Sequence, residues 1–132
     1  METIVEKQRK LVGYSDNLRK SKNGFAQLLA VRLEDIVWRE QMNRNMIHLY
    51  RIGNMWLAFD KSAYFMWQAT PCEPMGLRLD IAPFSVIIVD IETVSLPMLY
   101  RKFIVKEDAA DYKSFFTAFS LGLYEDWRRQ NI

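Results

Sequence analysis

Two short apolar runs, Met46–Ile52 and Met55–Phe59, are separated only by Gly53-Asn54, a dipeptide suited to the positive backbone angles of a two-residue hairpin turn. The spacing predicts antiparallel strands with Ile52 opposite Met55, Arg51 opposite Trp56, Tyr50 opposite Leu57, Leu49 opposite Ala58 and His48 opposite Phe59. Side chains alternate across a strand, so His48, Tyr50, Ile52, Met55, Leu57 and Phe59 share one almost wholly apolar face. The other face places Ile47, Leu49 and Ala58 around Arg51 and Trp56, a pair suited to cation–π stacking. Asp60 carries a side-chain oxygen suited to a helix cap, and residues 62–69 read as that helix.

Upstream, Phe25, Leu28, Leu29, Leu33, Ile36 and Val37 recur at helical spacing, predicting an amphipathic helix that ends in the polar cluster Asn43-Arg44-Asn45. Arg32, Glu34, Asp35, Arg39 and Glu40 fall on its outer faces, and Trp38, just off the main stripe, reads as a residue at the rim of the core or as a partner contact, with core favoured. Downstream, a loop with Pro71, Pro74 and Gly76 leads to alternation at Leu77, Leu79 and Ile81, and Pro83 separates this strand from residues 84–91. That second run is almost continuously apolar and is the candidate centre of the sheet. Residues 92–106 fit either a short helix from Pro97 or a strand, with strand favoured in the second half. Tyr112, Phe115, Phe116, Phe119, Leu123 and Trp127 then follow spacings of three and four, predicting one helix over residues 111–130.

Composition narrows the class. Of 132 residues, 50% are hydrophobic, 14% aromatic and 26% charged, which suits a folded chain with its own core. The expected organisation is a basic polar arm over residues 1–23 and one globular domain over residues 24–132. The arm holds Lys7, Arg9, Lys10, Arg19, Lys20 and Lys22 and reads either as solvated chain or as a phosphate-contacting segment. Net charge is only +2, far from a dedicated nucleic-acid binder. With one Cys and one His, a Cys/His zinc site has too few ligands within one subunit. An N-terminus without an apolar h-region, and no long apolar window, lead to the expectation of a cytoplasmic chain without a membrane span.

Catalytic signatures are weak. His48 sits on the apolar face of the hairpin, and Cys72 lies in a proline-flanked loop without a pattern for thiolate activation. Asp80, Asp90 and Glu92 come from consecutive strands, but Val94 stands where a metal-dependent nuclease usually carries lysine. There is no Gly-rich phosphate loop, nucleophile elbow or dinucleotide fingerprint, so neither cofactor nor metal is expected and no catalytic residue is assigned.

The run from Leu49 to Phe59, with Ala63 after it, resembles the strand–turn–strand signature of the N-terminal mismatch-recognition domain of the DNA mismatch-repair protein MutS. Tyr50, Arg51, Gly53, Phe59 and Ala63 match that pattern outright, and Ile52, Asn54 and Trp56 match in kind. In the family a Phe wedges beside the mispaired base and a Glu two residues on hydrogen-bonds it; here those positions are Met55 and Leu57. Met retains an apolar wedge, whereas Leu57 lacks the hydrogen bond. The resemblance implies an α+β domain, a small mixed β-sheet flanked by helices, to which a C-terminal helix is added. Together with the basic arm it points to a non-enzymatic nucleic-acid-binding module without specific mismatch readout, with Arg51, Asn54, Met55 and Leu57 of the hairpin as candidate contacts beside the cations Arg44, Lys7, Arg9 and Lys10. The alternative is a protein-interaction or scaffold module, with a protein partner or a homodimer seam on the helix carrying Tyr112 and Trp127.

Overall fold

β1 (Met46–Ile52) and β2 (Met55–Phe59) form the expected hairpin, pairing Tyr50 with Leu57, Arg51 with Trp56 and Ile52 with Met55. At the turn only Gly53 takes a positive φ, 58°, the arrangement of a turn that needs glycine at its first position. The ladder to β2 stops at Tyr50, so the expected Leu49–Ala58 and His48–Phe59 pairs are absent from it. Beyond that point the His48 amide donates to Ser62 Oγ at 2.9 Å, which supplies its partner from a helix instead of a strand.

The computed structural model describes residues 22–79 and 84–132. α1 (Lys22–Gln41) precedes the hairpin, and α2 (Asp60–Ala69) follows it. Then come β3 (Met75–Leu79), β4 (Phe84–Glu92), a 3-10 turn (Thr93–Ser95), α3 (Leu96–Lys102), β5 (Ile104–Asp108), β6 (Tyr112–Phe116) and α4 (Tyr124–Asn131). The strands lie in the order β3-β4-β2-β1-β6-β5. The α+β class is as expected, but the five pairings among the described residues are antiparallel where a mixed sheet was predicted. β4 is an interior strand, yet the centre of the sheet is the β2–β1 hairpin.

Alternation along the strands feeds two cores. Tyr50, Ile52, Met55, Leu57 and Phe59 pack with Val86 and Ile88 beneath Phe25, Leu29 and Ile36 of α1. On the opposite face Ile47, Leu49, Trp56, Ala58, Ile87, Val89 and Ile91 pack against Ala63, Phe65 and Met66 of α2, Leu99 of α3 and Trp127 of α4. A two-sided core explains why β4 is apolar at successive positions.

Two expectations are corrected and one open choice is resolved. Residues 111–130 are not one helix: Tyr112–Phe116 is a strand that covers the open edge of β1, pairing Met46 with Phe116 through Tyr50 with Tyr112. Its aromatics divide between faces, Tyr112 entering the α1 core and Phe115 the other. Residues 92–106 contain both candidates in succession, α3 with Pro97 in its first turn and then β5. Trp38 is 64% exposed on α1 instead of at the rim of the core. The arm predicted for residues 1–23 lies almost wholly outside the described residues, and its last two residues belong to α1.

Candidate functional site

The two positions aligned with mismatch readout are sealed. Met55 and Leu57 are 0% exposed beneath α1, so neither reaches a groove in this structure. Burying each stabilises the fold by about 2 kcal/mol, which opposes any rearrangement that would expose them. Asn54 is exposed at the turn, and its carbonyl accepts hydrogen bonds from the Thr93 amide at 2.9 Å and the Thr93 hydroxyl at 2.8 Å. Arg51 does not stack on Trp56: its Nε donates to the Gly53 carbonyl at 2.8 Å, and Lys113 Nζ lies 5.1 Å from the Trp56 ring centroid. Arg44 precedes β1 and Arg51 is near its far end; seven residues at about 3.3 Å each separate them by roughly 20 Å. The predicted residues therefore do not converge. Lys7, Arg9 and Lys10 lie outside the described residues.

Charge agrees with the geometry. Residues 22–132 carry 13 Lys and Arg against 13 Asp and Glu, so the net +2 resides in residues 1–21. A neutral body offers little of the backbone attraction that dominates nucleic-acid affinity.

The groups with most chemical potential are held quiet. His48 and Tyr112 share a hydrogen bond at 2.6 Å, and burial together with Arg39 pushes the imidazole down to about 4. Burial pushes the Cys72 thiol up to about 11. Neither is poised for proton transfer or nucleophilic attack at neutral pH. Among the described residues no group of three His, Cys, Asp or Glu side chains is placed to hold a metal ion, and Asp80 lies outside them. No described helix is long and apolar enough to cross a membrane.

No protein-family model, curated protein or solved structure matches this chain. Its own surface chemistry is thus the guide. Two places stand out. At the β5 end of the sheet, Ile104 is 71% exposed and Phe116 39%, bordering an open cavity of about 590 Å³ with Phe103, Ala118 and Phe119. Phe103 and Phe119 meet edge to face with centroids 5.7 Å apart, giving this cavity an aromatic wall.

The second place joins the C-terminal end of α1 to the start of α2. Glu40 was assigned to a solvated face, but it is buried: its Oε1 accepts the Ser62 amide at 2.9 Å and its Oε2 meets Ser62 Oγ at 2.6 Å. Asn43 Nδ2 also donates to Oε1 at 3.2 Å and to the Met46 carbonyl at 2.7 Å. Burial pushes the Glu40 carboxyl up to about 8, against hydrogen bonds from Ser62 and Asn43 that favour its charged form. Nearby Asp60 does not cap α2 through its side chain. It has φ 47°, the one positive φ among described non-glycine residues, and its Oδ1 accepts the Ile87 amide at 2.8 Å. Sequence reasoning missed this network because Glu40 and Ser62 lie 22 positions apart and each member alone reads as an ordinary solvated polar residue.

Proposed function

We propose that this protein is a non-enzymatic protein-interaction module whose docking surface is the open apolar end of β5 and β6. The observation that carries this reading is the exchange of roles between two sets of apolar residues. The hairpin positions aligned with base contact, Met55 and Leu57, are interior, while Ile104 and Phe116 are exposed beside an aromatic-walled cavity. Contiguous exposed apolar surface of this kind marks interaction sites.

The occupant is a partner protein that inserts apolar side chains beside Phe103, Phe116 and Phe119, not a strand added to the sheet. β5 is an edge strand, but its register shifts between Val105 and Glu107, and Lys106, Glu107 and Asp108 follow in succession. Bulges and charges of this type discourage further strand pairing. Lys106 lies over the Phe116 ring at 5.7 Å and supplies a cationic rim.

The test places a photo-crosslinking residue at exposed Ala118, with a second form carrying it at Gln27 on α1, and adds Ile104→Asp. A discrete protein adduct from position 118 that is lost with Ile104→Asp and absent from position 27 is expected. In parallel, fluorescence anisotropy with duplex, mismatched and single-stranded DNA should show no salt-sensitive complex. DNA binding that weakens with salt, without a position-specific protein adduct, would return the function to nucleic acid and to Lys7, Arg9 and Lys10.

A further inference from the structure

A cavity of about 430 Å³ opens where α1, the start of α2, β4 and α4 meet, away from the residues that form the apolar docking surface. Glu40, Asp60, Lys61, Tyr124, Glu125 and Arg128 line it. Tyr124 is the informative member. Its residue is only 5% exposed, its ring packs against Tyr64 at 5.8 Å and Trp127 at 6.2 Å, and its hydroxyl has no hydrogen-bond partner among the described residues. The phenol is within electrostatic reach of Asp60, Arg128, Glu125 and Glu40, all of which line the same cavity. The hydroxyl is not sealed in the core but borders the cavity, so an occupant of the cavity is the partner open to it.

The charges around it define the occupant. Asp60 holds the Ile87 amide through Oδ1, and its second oxygen makes no hydrogen bond among the described residues. Glu125 adds a second carboxylate. Arg128 donates one Nη to the Ser85 carbonyl at 2.7 Å and leaves the rest of its fork uncommitted, and Lys61 stands in the first turn of α2. Lys61 and Arg128 stand with Asp60 and Glu125 around one space, the third acid of its lining, Glu40, being engaged by Ser62 and Asn43. An ion of a single charge would meet repulsion there, whereas a molecule carrying both charges a few ångströms apart would meet attraction at each end.

We propose that this cavity binds a small zwitterion of the α-amino-acid class, with its carboxylate toward Lys61 and Arg128, its ammonium toward Asp60 and Glu125, and the Tyr124 hydroxyl bonded to it. The volume accommodates such a molecule together with displaced or bridging water, since one water occupies about 30 Å³ in the liquid.

The test titrates the full chain with glycine, L-alanine and L-glutamine, and separately with acetate and methylammonium, following backbone amide shifts. Saturable shifts at Lys61, Ser85 and Glu125 with at least one amino acid, and binding at least about tenfold weaker for both half-ligands, are expected. Tyr124→Phe removes a hydroxyl that bonds none of the described residues, so it should leave the denaturation midpoint unchanged and weaken amino-acid binding about tenfold. Acetate or methylammonium binding as tightly as the amino acids would overturn the assignment, as would unchanged binding in Tyr124→Phe. Absence of saturable shifts with all three amino acids, which would mean a cavity that holds only water, would overturn it too. Loss of stability in Tyr124→Phe would mean that the hydroxyl already has a partner within the protein, and the assignment would fall on that result as well.

Discussion

Glu40→Gln isolates the buried junction between α1 and α2, and its effect should depend on pH. Glu40 has an ordinary value of 4.5 and is raised to about 8 in the folded chain, chiefly by burial. A carboxyl raised in this way contributes its full stability below 4.5 and loses it as pH rises to about 8, because ionisation is easier in the unfolded chain. At about 1.4 kcal/mol for each pH unit spanned, the loss is on the order of 4 to 5 kcal/mol. Gln keeps an oxygen for the Ser62 amide but loses the acceptor of the Ser62 hydroxyl, which is left with the Met46 carbonyl, and it does not titrate. Near pH 5 the two proteins should therefore be within about 1 kcal/mol of each other. By pH 9 the Gln form should be the more stable by several kcal/mol, read from urea denaturation at each pH with unchanged m values. Asp60, also raised by burial, titrates in both proteins and largely cancels in the difference. A difference independent of pH would refute this reasoning. So would a Gln form that loses ground as pH rises, since Ser62, Asn43 and the start of α2 would then be holding Glu40 as an anion.

Three other outcomes follow from the packing. His48, lowered to about 4, should show no imidazole titration by NMR between pH 5.5 and 8; the stability of its neutral form is present above about 6.5 and is lost as pH falls toward 4. Leu57→Ala should cost about 2 to 5 kcal/mol in denaturation, whereas Ile104→Asp should cost less than about 1, because the first empties the α1 core and the second is an exposed position. A Cβ at Gly76 would stand 2.2 Å from the Asn131 carbonyl oxygen and 2.9 Å from Ile132 Cα. Gly76→Ala should therefore cost about 1 to 3 kcal/mol in the full chain and much less after removal of Asn131 and Ile132.

The hairpin was legible because three signals coincide: an apolar alternation, a Gly-Asn turn and a second alternation of matching phase. α1 was legible from its helical period, although its exposed residues were not. Glu40 and Trp38 are two positions apart and exchange the expected roles, Glu40 entering the interior because Ser62 and Asn43 satisfy it. The C-terminal aromatics misled for a different reason. Tyr112, Phe115 and Phe116 fit a helical stripe, but they fit equally a strand whose Tyr112 and Phe115 enter the two cores while Phe116 stays exposed. The open edge of β1, a long-range requirement that local periodicity does not contain, decides for the strand. The apolar runs on either side of Gly53-Asn54 located a strand, turn and strand but not the surface they present, because α1 lies over the face on which Met55 and Leu57 project.

The central claim is that the hairpin face is interior while other apolar positions meet solvent, and two methionines of one molecule test it directly. Met42 is 64% exposed and Met55 is 0% exposed. Hydroxyl-radical footprinting of the native chain, read by peptide mass spectrometry, should oxidise Met42 rapidly and leave Met55 protected until the protein unfolds. Oxidation of Met55 at the rate of Met42 under native conditions would mean that α1 does not cover the hairpin, and the nucleic-acid reading of Met55 and Leu57 would displace the one proposed here.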